Sequence, residues 1–236
     1  MIIPAILREN LKDIQKELGL VSSFAPLVQI DLNDGKLFEG KSYLDLENIL
    51  KITKEIPERV SLLRGIPEQS DIVKRNRKTP FFLDLHIMIK DPFPYLKPRT
   101  NQIRQISAHA ESSANLKDWL KKAKQKGWKA GISLAPKTSW REIEPLIPLA
   151  DFIQFLTVTP GLQGQSFQPK VLPKIKALRK KYPNKIIQVD GGVKKENIKD
   201  VLKAGANNVV IGSAIIKSKC PEKTYKKFTE IAKRYE

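Results

Sequence analysis

Along this chain, short runs of apolar and mostly β-branched or aromatic residues alternate with segments whose apolar positions recur three and four apart among charged ones. The first pattern is that of strands buried on both faces. The second is that of amphipathic helices covering them, and the alternation marks repeated β-α units around a parallel sheet. Eight strand runs occur, at residues 2–7, 27–32, 81–88, 105–110, 129–134, 152–158, 186–189 and 208–211. Eight parallel strands predict an α/β fold closed into a (β/α)8 TIM barrel, and 236 residues match the roughly 250 of one such domain. Residues 9–18, 44–55, 116–126, 140–147, 170–180 and 195–203 carry the helical period. Gly127 and Gly205 stand just past two of these segments, where a left-handed C-cap is wanted. The connection at residues 36–79 is the longest and least regular, and reads as an extended link with an insertion inside a single domain of residues 1–236.

Composition changes this picture little. The 43 Lys+Arg against 25 Asp+Glu give a formal charge of +18, which attracts anionic substrates or polyanions. These residues are spread over the expected helix faces, with one denser knot at residues 74–78, and no nucleic-acid motif accompanies them. They read as solvated helix faces, so nucleic acid is not an expected partner. No apolar stretch approaches the roughly 18 residues that cross a bilayer, and the short apolar N-terminal run, which has no basic region before it, reads as a strand rather than a secretory signal. The single cysteine, Cys220, cannot close an intrachain disulfide, which fits a reducing, cytoplasmic setting. A homo-oligomer is left open.

In a parallel barrel the reactive groups stand where each strand runs out into its following loop. Here those positions hold Asp31 and Asp34 after the second strand, His86 in the third, His109 and Glu111 at the fourth, Asp190 after the seventh and Ser213 after the eighth. Asp31 and Asp190 have an alternative reading as turn residues, and either histidine one as a hydrogen-bonded core residue. As a set, they point to a site that binds metal or substrate, because unpaired buried charges are costly. Gly161 and Gly164 after the sixth strand, Gly191 and Gly192 after the seventh, and Gly212 with Ser213 after the eighth place Cβ-free backbone where N–H groups can close on an anion. Barrels commonly hold phosphate after the last two strands.

With these motifs in view, the chain resembles the ribulose-phosphate 3-epimerase family. The resemblance is carried by Lys129-Ala-Gly-Ile-Ser-Leu-Ala-Pro136, Thr159-Pro-Gly-Leu-Gln-Gly-Gln-Ser-Phe167, Val189-Asp-Gly-Gly192 and Ile211-Gly-Ser-Ala214. Asp31 to Gly35, Leu83-Asp-Leu-His-Ile-Met88 and His109-Ala-Glu111 add to it in the first half. It implies inversion of carbon 3 of a ketopentose 5-phosphate, interconverting ribulose and xylulose 5-phosphates. Asp31 and Asp190 would be the catalytic proton carriers on either face of an enediolate. It further implies a divalent metal ion (Zn, Fe, Mn or Co) on Asp31, His86 and Asp190, and sugar-phosphate contacts from His86, Gly161, Gly164, Gly191, Gly192, Gly212 and Ser213.

The sequence departs from the family pattern at several points. Gln29 stands where the family has another metal-binding histidine, Ala5 where it has a serine near the substrate, Asn33 where it has a methionine, and Gln163 where it has a glycine of the phosphate loop. A neutral amide oxygen is a poorer ligand for a zinc-like ion than imidazole. Two outcomes therefore stand side by side: a working epimerase with an altered metal site, or a sugar-phosphate-binding barrel that has lost turnover.

Overall fold

The computed structural model describes residues 1–56, 81–162 and 164–235. The basic knot at residues 74–78, Gln163 and much of the insertion lie outside them. Eight parallel strands close in chain order into one barrel, β8 returning to pair with β1. They are β1 (Ile2–Ile6), β2 (Leu27–Asn33), β3 (Phe82–Met88), β4 (Ile103–His109), β5 (Lys129–Leu134), β6 (Phe152–Leu156), β7 (Ile186–Asp190) and β8 (Asn208–Ile211). Every strand run expected from the sequence is present. β4 begins two residues before the expected 105, and β6 stops two residues short of 158.

Helices α1 (Leu11–Ser22), α2 (Leu46–Glu55), α3 (Leu116–Gln125), α4 (Leu172–Lys181), α5 (Ile198–Lys203), α6 (Ser213–Ile216) and α7 (Pro221–Lys233) lie outside the strands. Asn10, Asp45 and Asn115 start the first three by accepting a hydrogen bond from the backbone N–H three residues on. Gly127 and Gly205 adopt φ of 81° and 107°, the left-handed caps expected there. The segment expected as a helix at 140–147 is a 3-10 helix, Trp140–Leu146, with Pro145 inside it. A proline there lacks the N–H an α-helical ladder needs. Residues 169–171 likewise form a short 3-10 turn ahead of α4.

Two apolar layers result. Outward-facing residues such as Val28, Ile30, Leu83, Leu85, Ile132 and Ile187 pack against helix residues such as Leu18, Ile49, Trp119 and Ile175 in the main core. Inside the barrel, Ile3, Ala5, Leu27 and Val210 form a small apolar cluster with Phe82. Gly131 on β5 faces the Phe152 ring of β6 so closely that an added Cβ would lie 2.4 Å from its Cζ. The bore above this plug is polar. Gln29, Asp84, Gln105, Gln154 and Gln188 fill it and are all buried.

Candidate active site

Strand register brings the site together. Asp31 on β2 is paired with His86 on β3, and Asp190 ends β7 across the barrel. His86 Nδ1 lies 3.0 Å from Asp31 Oδ1 and 3.4 Å from Asp190 Oδ2. The carboxylates are 13% and 14% exposed and the imidazole 1%, so the acids face a cavity while the base is sealed beneath them. Gln29 Nε2 donates to Asp31 Oδ1 at 2.7 Å and to Asp190 Oδ2 at 2.8 Å, bridging the two acids.

Behind His86 runs a second line of contacts. His86 Nε2 is 2.9 Å from His109 Nε2, and His109 Nδ1 is 2.8 Å from Glu111 Oε2. Glu111 Oε1 accepts from the Ala135 N–H at 2.9 Å and from the Thr138 hydroxyl. Burial works against charge on His86, but hydrogen bonds to Asp190 and Asp31 outweigh it and raise its pKa to about 10. Burial lowers His109 to about 4. Burial works against ionised Glu111 too, yet its bonds to His109, Thr138 and Ala135 take it down to about 2. In the shared Nε2–Nε2 contact one imidazole donates and the other accepts, and these directions favour His86 as the donor, which leaves the Nδ1–H of His109 for Glu111. Burial and the neighbouring Asp190 charge push Asp31 up, against the hydrogen bond from His86.

The cavity above the acids is lined by Ala5, Met88, Leu156, Val158 and the loops after β6, β7 and β8. All six glycine and serine positions singled out from the sequence, Gly161, Gly164, Gly191, Gly192, Gly212 and Ser213, line this one cavity with Asp31, His86 and Asp190. Gly191 (φ 109°) and Gly192 (φ 66°) lie in the left-handed region, and an added Cβ would meet Val158 Cγ2 at 2.4 Å and Phe167 N at 2.8 Å. The loop after β2 reaches across to the loop after β6: a Cβ on Gly40 would lie 2.4 Å from the Gly161 carbonyl oxygen, and one on Gly161 would strike that of Glu39. Asn33 holds this loop, donating from Nδ2 to the Glu39 carbonyl at 3.0 Å and accepting from the Gly35 N–H at 3.1 Å. Phe38, on the same loop, meets the His109 ring edge-on at 4.7 Å. Asp34 stays outside the cluster, capping its own turn through the Lys36 N–H at 3.0 Å.

Asp31, His86 and Asp190 offer ligand atoms within 4.8 Å of one another, a group that could hold a metal ion. Two carboxylates and an imidazole suit a divalent cation. Gln29 turns its amide nitrogen, which is no ligand, toward them. Asp84, Gln105, Gln154 and Gln188, buried in the bore, were not among the candidate residues read from the sequence. Their signal was parity, since Gln29, Asp84 and Gln188 each stand two residues before Asp31, His86 and Asp190, on the same strand face.

Fold and site together define an α/β barrel that gathers two carboxylates and an imidazole beneath a glycine-lined cavity at the C-terminal ends of its strands. The model of the ribulose-phosphate 3 epimerase family matches residues 66–216. A ribulose-phosphate 3-epimerase of Eremothecium gossypii is 32% identical over 219 residues, 91% of this chain and 85% of that protein. The cytoplasmic isoform of the rice enzyme (Oryza sativa subsp. japonica) is 37% identical over 150 residues, 61% of this chain and 66% of that one. The chain belongs to the ribulose-phosphate 3-epimerase family. Among solved structures, 3-hexulose-6-phosphate synthase from Salmonella typhimurium superposes with a TM-score of 0.69 at 14% identity, over 100% of this chain and 99% of that one, a likeness of fold alone.

Proposed function

We propose that this protein inverts carbon 3 of a ketopentose 5-phosphate, interconverting ribulose and xylulose 5-phosphates. The observation that carries the reading is the meeting of Asp31 and Asp190, from opposite parts of the barrel, on one donor beneath a glycine-lined cavity. Inversion needs a carboxyl group on each side of a planar intermediate. One aspartate takes the proton from carbon 3, the electron pair passing into the adjacent carbonyl to give an enediolate. The other then returns a proton to the opposite face. Backbone N–H groups around Gly191, Gly192, Gly212 and Ser213 hold the phosphate, with Gly161 and Gly164 closing over it. His86 lies against both acids and moderates their mutual repulsion.

A divalent ion, held by Asp31, His86 and Asp190, would supply stabilisation of negative charge on the substrate oxygens. A cytoplasmic setting accords with the name of the rice relative, and among the described residues no helix is long and apolar enough to cross a membrane.

Ribulose 5-phosphate incubated with the protein in deuterium oxide should take up deuterium at carbon 3 and yield xylulose 5-phosphate. Asp31→Asn and Asp190→Asn should each slow this by roughly 10²–10⁴-fold. Tight binding of the sugar phosphate with no exchange, in the presence or absence of added divalent metal, would instead identify a barrel that has kept its cradle and lost turnover.

A further inference from the structure

The amides in the barrel bore all point one way. Asp84 Oδ2 accepts from Gln105 Nε2 and Gln188 Nε2, each at 2.8 Å. Gln188 therefore turns its carbonyl oxygen to Gln105 Nε2 and Asn208 Nδ2, at 3.1 and 3.2 Å. Its amide hydrogens are shared among Asp84, Gln154 Oε1 at 2.7 Å and Gln29 Oε1 at 3.3 Å. With their oxygens engaged from below, Gln29 and Gln154 present nitrogen upward, Gln29 to Asp31 and Asp190, and Gln154 to Asp190 Oδ2 at 3.4 Å. Reversing Gln29 alone would set its oxygen against two carboxylate oxygens and its nitrogen against the nitrogen of Gln188. Asp84 Oδ2 accepts whether or not the acid is ionised, and Oδ1 has no partner among the described residues, so the direction does not depend on its protonation.

We propose that Gln29 is a positioning residue, clamped as a hydrogen-bond donor by Gln188 and Asp84, that assembles the Asp31–Asp190 pair without a metal ion and leaves a divalent cation only three protein ligands here. The amide does part of a cation's work, offering polarised hydrogens to both acids. Any ion entering must displace that bridge, so it binds more weakly than at a four-ligand site. This inference rests on the epimerase reading for its catalytic consequence, but its ligand chemistry can be judged alone.

The test uses the full chain, freed of metal with EDTA and titrated with Co²⁺, whose visible absorption reports coordination independently of turnover. Wild type should retain exchange of the carbon 3 proton in EDTA and bind Co²⁺ weakly. Gln29→His should bind Co²⁺ tighter by about 10- to 100-fold. Gln188→Met keeps the length of the side chain but can neither donate nor accept, so the oxygens of Gln29 and Gln154 are no longer held downward and an entering cation can draw them to itself. It should gain Co²⁺ affinity while kcat in EDTA falls by about 10- to 100-fold with KM little changed. Should Gln188→Met fail to fold, the comparison of wild type with Gln29→His still decides.

Wild type that retains stoichiometric metal, and loses exchange when EDTA removes it, overturns the proposal, as does Gln29→His with no gain in affinity. Absence of exchange under every metal condition overturns the epimerase reading instead, and the two Co²⁺ affinities then still judge the clamp.

Discussion

Glu111→Gln isolates the outermost link of the His86 line. Glutamine keeps the size of the side chain and an oxygen for the Ala135 N–H and the Thr138 hydroxyl, but sets an NH₂ group against the Nδ1–H of His109. The carboxylate lies at about 2 in the fold against an ordinary 4.5, and about 2.5 units at ~1.36 kcal/mol each amount to roughly 3 kcal/mol. Because the folded value is depressed, this stability is fully present above pH 4.5 and drains away as pH falls toward 2. At neutral pH the variant should unfold with roughly 3 kcal/mol less stability in a urea titration, or about 6–12 °C lower in a thermal melt. At pH 3 more than half of that difference should be gone. A variant that melts with the parent at pH 7, or that loses the same amount at both pH values, would show that the Glu111–His109 contact does not hold the carboxylate in its ionised form.

Other expectations are simpler to check. Gly131→Ala drives a methyl group into the Phe152 ring, 2.4 Å from Cζ; overpacking of this kind costs about 1–3 kcal/mol in chemical denaturation. Gly192→Ala strains a φ of 66° and meets Phe167 N at 2.8 Å. Losing one charge-assisted bond to phosphate, about 1.5–3 kcal/mol, should raise KM at least about tenfold while kcat moves little. Asn10→Ala removes the acceptor for the Asp13 N–H at 2.9 Å and should cost about 1 kcal/mol in thermal unfolding, with proton exchange unaffected.

The barrel was legible because strands covered on both faces read as unbroken apolar runs, so all eight stood out even where their ends moved by a residue or two. The segment at 140–147 was misjudged as an ordinary helix, since its apolar spacing suits one and only Pro145 marks the tighter 3-10 turn. At the site, the sequence pointed to Asp31, His86 and Asp190, and the fold gathers them. Strand ends were read and strand middles were not. Buried glutamines look like interruptions in an apolar run, and which atom of an amide points upward depends on partners as far apart as Gln29 and Gln188, 159 residues along the chain. Asn33 shows the same limit: a departure from a family methionine reads as a loss, whereas its amide ties down the loop that carries Glu39.

The meeting of Gly40 with Gly161 has a consequence for traffic through the barrel. β2 and β6 stand diametrically opposed in a ring of eight, so the two backbones form a crossbar over its opening. The vestibule lies mostly on the β7, β8 and β1 side of that crossbar, with His86 and Met88 of β3 at its edge, while His109, Glu111 and Phe38 crowd the other half. On the proposed reading, a sugar would reach the acids from that half among the described residues, and a longer carbon chain would press first on the loops after β6, β7 and β8.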